Sequence, residues 1–399
     1  MKLENTNSLN QSSYTLYALI WVIILATFTQ VKAQISLLKD IDPQSSSDPQ
    51  DFTPFKDKLF FVAKTNATGS DIWVTDGTDV GTSLFIDRFN DTGTTSRARI
   101  LGVLGDHIYF GINEPTNANV GVEVWKSDGT LAGTQLLKDI NPGSSSGFDL
   151  FYSEALIADN RMFFVANDGT HGDELWITDG TEAGTKLVKD IRVGSTGASI
   201  QQLTYNKTTG LVYFVANDGV HGKELWVTNG SEASTKLAQD INPGQAGSDP
   251  ENLVELNSSM YYIANDGTNG KEIWLTSPAI TVKLTSFDTP PHSLSSVNDF
   301  LLFSQNDELW VSDGRPEGTK LLRSVQFSGS GSPIELNGKV YFFGTQRNTQ
   351  GKELWVTDGT NVGTKMVKGI YPSSFSSFDL NSKIVKFNNQ TELTHPNLT

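Results

Sequence analysis

The sequence predicts an all-β fold, a β-propeller of four-stranded blades. Three observations lead there: tryptophans at near-regular spacing, an Asp-Gly or Asn-Gly turn after almost every one, and strand segments apolar on both faces. The tryptophans are Trp73, Trp125, Trp176, Trp226, Trp274, Trp310 and Trp355, at intervals of 52, 51, 50, 48, 36 and 45 residues. That is close to the length of one blade. Each stands in a repeated phrase whose fullest copy, Glu174 to Ile191, reads ELWITDGTEAGTKLVKDI.

The fourth repeat shows how the phrase divides into strands. Gln201 to Tyr205 is a first strand and Asn206 to Gly210 a turn. Leu211 to Ala216 (LVYFVA) is a second strand, rich in the β-branched and aromatic residues that suit a packed sheet. Asn217 to Gly222 turns the chain into Lys223 to Thr228, and Asn229-Gly230 turns it again into Thr235 to Ile241. The turns follow from backbone need, because Asp-Gly and Asn-Gly tolerate the positive φ of tight hairpins. They recur at Asp76-Gly77, Asp128-Gly129, Asp179-Gly180, Asn229-Gly230, Asp313-Gly314 and Asp358-Gly359, with a Thr or Ser hydroxyl often following to cap the turn. The fifth repeat replaces the turn with Ser277-Pro278-Ala279, so its hairpin is expected to be rebuilt. The sixth is shortened between its second and third strands.

Second and third strands such as Phe163-Phe164-Val165 and Leu175-Trp176-Ile177 carry apolar residues on both faces and call for burial on both. Blades stacked around an axis provide that; a sandwich with solvated outer faces does not. The seven tryptophans are accordingly read as packing between blades, with stacking platforms for sugars or bases as the alternative. Leu37 to Ile41 reads as a fourth strand with no repeat before it, and Phe378 to Phe387 as the first two strands of a further repeat. Glu392-Leu393 is a faint echo of Glu-Leu-Trp. These pieces predict eight blades, the last closed by strands from both termini, with seven blades as the alternative. Closure removes exposed sheet edges. An open β-solenoid is the architectural runner-up.

Composition narrows the chemistry. Among 399 residues there is no cysteine, which excludes disulfides, cysteine–zinc sites and thiol nucleophiles. Residues 1–33 read as a secretory signal: Lys2, an apolar run of 13 residues from Leu16 to Phe28, and Val31-Lys32-Ala33 before Gln34. The run is short for a membrane span, which takes about 20 apolar residues. The expected product is one propeller domain, residues 34–399, secreted or at the cell surface, with the periplasm as an alternative, and with no membrane span. The formal charge of −15 argues against nucleic acid as a partner, which would need clustered Lys and Arg.

At Glu174-Leu175-Trp176 with Asp179-Gly180-Thr181, and at Glu353-Leu354-Trp355 with Asp358-Gly359-Thr360, the chain resembles the bacterial ELWxxDGT-repeat proteins. Val124-Trp125 with Asp128-Gly129-Thr130 and Ile72-Trp73 with Asp76-Gly77-Thr78 extend the resemblance, which spans residues 35–388. It implies an exported, propeller-like repeat protein of a family mostly without an assigned activity. The Asp-Gly-Thr turn also resembles the Asp-box of sialidase propellers, a structural turn that does not carry catalysis.

Candidate chemistry is sparse. His171 and His221 share the phrase Asn-Asp-Gly-x-His-Gly, but Asn269 fills the matching place in the fifth repeat, which favours a structural role. An acidic residue stands two before every tryptophan: Asp71, Glu123, Glu174, Glu224, Glu272, Glu308 and Glu353. A carboxylate ring is one reading. The preferred one pairs each with backbone or with a fourth-strand lysine such as Lys138, Lys189 or Lys368, since unpaired buried charge is costly. Calcium is the ion that suits the oxygen-rich loops, with Asp168, Asp218 and Asp266 as weak candidates, although turn formation explains these residues too. No nucleophile elbow, zinc-protease motif, phosphate loop or dinucleotide fingerprint occurs.

The expected function is a non-catalytic binding scaffold for a protein or glycan at the cell surface, with no enzymatic activity and no cofactor. A glycan-active hydrolase or lyase is the alternative and requires a non-repeated acidic cluster converging near the axis. A purely structural envelope component is the third reading. Residues that break the repeat, among them Arg97 to Arg99, Asn113 to Asn119 and Pro290 to His292, are the places to look.

Overall fold

In the computed structural model the described residues are 37–86, 98–113, 120–327, 333–346, 351–368, 383–387 and 390–394. The leader, Arg97, Glu114 to Asn119 and Phe378 lie outside them. Chain contacts divide the protein into two bodies, Met1–Asp40 and Ile41–Thr399. The larger is all-β with a propeller-like organisation, broken among the described residues only by the single-turn 3-10 helices Glu232–Ser234 and Pro316–Gly318. No helix among the described residues is long and apolar enough to cross a membrane.

Each of the first six repeats folds as one four-stranded antiparallel sheet with its strands in chain order. The seventh sheet has five strands, because the short Gln326–Phe327 and Ile334–Leu336 both pair with Lys339–Thr345. A hairpin of Lys383–Phe387 and Gln390–Thr394 follows. Its register sets Glu392 opposite Val385, so the Glu-Leu echo lies in the second strand of a hairpin and not in a third strand. Leu37 to Ile41 form no strand, so the fourth strand expected from the N-terminus is not made there.

The seven repeat tryptophans occupy the same register position, each opposite an aromatic residue of its own second strand. The pairs are Phe61–Trp73, Phe110–Trp125, Phe164–Trp176, Phe214–Trp226, Tyr262–Trp274, Phe303–Trp310 and Phe342–Trp355. Cross-strand aromatic pairs of this kind stabilise a sheet directly. The indoles then pack outside their own sheet. Trp125 joins a core built from repeats 1 and 2, Trp176 one from repeats 2 and 3, and Trp226 one from repeats 3 and 4. Trp355 lies between repeats 6 and 7. Trp73, in the first sheet, packs with Phe61, Ala63, Ile41 and Leu84. The first strands of repeats 1 to 6 also pack one against the next, in succession.

The turn after the tryptophan is a closed hydrogen-bond unit. In repeat 3, Asp179 Oδ1 accepts the Thr181 N–H at 2.9 Å and its hydroxyl at 2.7 Å. Thr181 Oγ1 in turn accepts the Gly184 N–H at 2.9 Å, and the Thr178 and Thr185 hydroxyls meet at 2.7 Å. The same bonds tie the turns at Asp76, Asp128 and Asp358. Asp313 keeps the backbone bond, to Arg315. Glycine is needed at 184 for space: a Cβ there would stand 2.0 Å from Asp179 Oδ1. Repeat 4 has Ser234 at that place and Asn229 for the aspartate, and the Ser234 hydroxyl donates to Asn229 Oδ1 at 2.6 Å. Repeat 5 closes its rebuilt hairpin by Ser277 N–H to Ile280 O at 2.8 Å. The shortened repeat 6 turns on Asn306 and Asp307, both at positive φ (53° and 60°), as a two-residue hairpin demands.

Gly184→Ala is expected to destabilise the protein by about 1–3 kcal/mol, the usual cost of forcing atoms into filled space. Asp179→Asn combined with Gly184→Ser, which copies the pair in repeat 4, should recover part of that loss. Urea unfolding midpoints of the three proteins check this; a Gly184→Ala midpoint equal to wild type would show that the turn relaxes freely.

Candidate functional site

The sequence-based candidates fall into structural places. Six of the seven acidic residues before the tryptophans are buried, at 1 % exposure or less; Glu308 is half-buried. Of the two partners expected, backbone or a fourth-strand lysine, Glu123 and Glu174 take backbone amides. Glu123 accepts the N–H groups of Gly147 (2.9 Å), Asn141 (3.2 Å) and Ile140 (3.3 Å), and Glu174 those of Arg192 (3.0 Å) and Ile191 (3.2 Å). Glu272 takes the Phe287 N–H and the Thr285 hydroxyl, both at 2.6 Å. Lys138 instead donates to Thr185 O of the next repeat at 2.9 Å. The reason is distance from water: a third-strand carboxylate inside the stack lies beside the connector to the next repeat, whose amides need acceptors. Burial pushes Glu123, Glu174 and Glu224 up to about 7, against the pull of these donors.

The three calcium candidates close their own loops. Asp168 Oδ1 accepts the N–H groups of Thr170 and His171, both at 2.9 Å, and its Oδ2 lies 2.7 Å from His171 Nδ1. Asp218 repeats this with Val220 and His221. Asp266 bonds the amides of Thr268 and Asn269, and Lys283 replaces the imidazole at 3.1 Å. The hydrogen bonds to Asp168 and Asp218 raise both histidines above their ordinary value. Among the described residues no group of three or more His, Asp and Glu is arranged to hold a metal.

What the repeat pattern did not reveal is the connector between repeats 2 and 3. Gly147, Gly197 and Gly247 hold equivalent places, but the path from Gly147 to the end of the next first strand is two residues longer. The extra length forms a turn at Asp149 to Ser153. Asp149 Oδ1 accepts the N–H groups of Phe151 (2.7 Å) and Tyr152 (3.1 Å), which leaves those rings 57 % and 85 % exposed. A shorter hairpin turn in repeat 3 offsets the insertion, so the tryptophan spacing hides it.

Beside this turn lies a cleft of roughly 530 Å³ that crosses the first strands of repeats 2, 3 and 4. Arg99, Asp149, Glu154 and Asp173 line it together with Phe151 and Tyr152. Arg99 Nη1 donates to Ser153 O and so ties repeat 2 to the turn. Glu154 is fully engaged, its two oxygens accepting the Gln202 and Leu203 N–H groups at 2.8 Å each. Asp173 Oδ1 accepts the Asn167 side-chain amide at 3.1 Å. A second cleft of roughly 410 Å³ shares Asp149, Phe151 and Asp173, so these three residues form the wall between the two. Of the breaks in the repeat that lie among the described residues, Arg99 lines this place and Pro290 to His292 do not.

No family model matches the chain, and no curated protein matches it. Among solved structures it is similar to a prolyl endopeptidase at 9 % identity, covering 89 % of this chain and 55 % of that one, with a TM-score of 0.44. A puromycin hydrolase is 12 % identical, covering 82 % and 55 %, with a TM-score of 0.42. A Mycobacterium tuberculosis puromycin-hydrolyzing peptidase is 11 % identical, covering 85 % and 55 %, with a TM-score of 0.44. The chain thus spans just over half the length of these structures, and a likeness this distant transfers no residue role and no substrate. The comparisons do not bear out the expectations of a non-catalytic scaffold and of no enzymatic activity. The similar structures bear the names of hydrolases.

The titrating groups set a pH dependence of stability. Between 4.5, the ordinary value, and about 7 the folded chain keeps protons on Glu123, Glu174 and Glu224 that the unfolded chain has released, so stability falls as pH rises through that window. The turn aspartates act oppositely. Hydrogen bonds from the neighbouring threonines hold Asp76, Asp128, Asp179 and Asp358 below 3.8, so their contribution is intact above that value and lost as pH falls through their lowered ones. Urea midpoints are therefore expected to be higher near pH 5 than at pH 7.5, and to drop again on further acidification below about pH 4. Midpoints that climbed steadily from pH 5 to 7.5 would contradict this account.

Proposed function

We propose that the protein is a glycan-active hydrolase of propeller-like fold, working at the cleft beside the Asp149 turn. The observation that carries this reading is the convergence of Asp149, Glu154 and Asp173 on one cleft flanked by the exposed rings of Phe151 and Tyr152. Sugar rings present apolar faces that aromatic side chains can cover. A pair of carboxyl groups suffices for glycosidic hydrolysis, one protonating the leaving oxygen and the other acting as base or nucleophile. Glu154 is committed to backbone amides and supports the cleft wall. Among the described residues Asp149 and Asp173 each bond through Oδ1 only, which leaves Oδ2 for water or substrate. They are the reacting pair in this reading, and Arg99 positions the turn.

The same reading takes residues 1–33 as an export signal and places the substrate at the cell surface or beyond, in keeping with the resemblance to exported ELWxxDGT-repeat proteins. The hairpin of Lys383–Phe387 and Gln390–Thr394 supports an eighth blade, with seven as the alternative count. Calcium, at the loops of Asp168, Asp218 and Asp266, would be a structural ion and not a catalytic one.

The test incubates the protein with a polysaccharide panel and a peptide panel in parallel, scoring new reducing ends, unsaturated sugar products and new amino termini. Glycan cleavage is expected, with at least a roughly 100-fold loss of rate in Asp149→Asn and in Asp173→Asn and an unchanged thermal midpoint. Peptide cleavage unaffected by those substitutions would overturn the reading, as would the absence of any glycan product.

A further inference from the structure

The turn glycines serve a second purpose, between sheets. Gly180, Gly230 and Gly314 each cap a large second-strand residue of the preceding repeat. A Cβ on Gly180 would strike the Tyr109 hydroxyl at 2.6 Å, one on Gly230 would meet Phe163 at 3.2 Å, and one on Gly314 would meet the Tyr261 hydroxyl at 2.3 Å. Tyr261 makes the contact a bond, donating to Gly314 O at 3.2 Å. Tyr213 holds the equivalent place in repeat 4, but the next repeat is the fifth, where Ser277-Pro278-Ala279 replaces the Asp-Gly turn. The cap is missing, and a cavity of roughly 300 Å³ opens there.

Its lining mixes an apolar wall with two polar groups. Leu211, Val227, Ala238 and Pro278 supply the wall. Tyr213 is 1 % exposed, and its hydroxyl has no hydrogen-bond partner among the described residues. Burial raises the phenol above its ordinary value, so it stays a neutral donor. Lys236, at the rim, makes no ion pair among the described residues. Small-molecule sites take this form: a concave apolar pocket with a few polar groups to orient the ligand.

We propose that this cavity between repeats 4 and 5 binds a small aromatic carboxylate, its ring against the apolar wall and its carboxylate held by the Tyr213 hydroxyl and the Lys236 ammonium. The site is distinct from the cleft at Asp149 and stands whether or not that cleft cuts glycans.

Saturation-transfer NMR on the full chain with benzoate, and with benzyl alcohol and acetate as comparators, tests it. Benzoate is expected to bind more tightly than either comparator. Lys236→Met should weaken benzoate about ten-fold, as loss of a charged hydrogen bond does. Tyr213→Phe, which keeps the ring and the packing, should weaken it several-fold, and Ala238→Phe should abolish it by filling the space. No transfer to benzoate at about 5 mM, which excludes even millimolar affinity, would overturn the proposal. So would binding left unchanged by Lys236→Met and Tyr213→Phe, or benzyl alcohol binding as well as benzoate.

Discussion

A sheet that is apolar on both faces has no stable exposed form, and the rest of this molecule follows from that constraint. The seven cross-strand pairs of tryptophan with an aromatic residue make each sheet thick, rigid and hydrophobic on two sides. Burying one such side chain contributes on the order of 2–3 kcal/mol, but only if another sheet covers it. The cores at Trp125, Trp176, Trp226 and Trp355 are accordingly shared between successive repeats. Stacking is thus the condition for folding, and sheet-to-sheet contact supplies most of the stability.

Stacking leaves polar groups unmet at the connectors, where the chain leaves one sheet for the next and its amides find no strand. The third-strand glutamates accept those amides, and burial beside them suppresses their ionisation near neutrality. Where the connector keeps its usual length, it is drawn in under the carboxylate. Where it is two residues longer, at Asp149 to Ser153, the surplus is expelled as a turn that exposes two aromatic rings beside three carboxylates. The candidate site is therefore a departure from the repeat built upon its regular parts.

The regular parts were legible in the sequence because each rests on local chemistry. Strand limits in repeat 4 and the positive-φ glycines of the turns follow from residue type at short range. The partners of the buried glutamates were not legible: whether Glu174 meets Lys189 or the Arg192 amide depends on how the connector folds back. The N-terminal segment failed differently, since Leu37 to Ile41 carry a fourth-strand pattern and yet form no strand. The cleft was hidden by compensation, as the insertion before repeat 3 is masked by its shorter hairpin. Arg99 alone stood out as a break in the pattern that reaches the site.

The first strands carry a relay of a different kind. Asp51 accepts the Ile100 amide, Glu154 the amides of Gln202 and Leu203, and Gln202 that of Leu253, each reaching a kinked or bulged strand of a later repeat. Such an array behaves as links in series, in which each link senses only its neighbours and strain passes along the row until it meets the weakest joint. The junction of repeats 4 and 5 has lost its glycine cap and encloses a cavity, yet side-chain bonds from Gln202 and Asn206 and the Lys207 amide all cross it. Strain that reaches this junction is therefore carried by its first strands and not by its rebuilt turn.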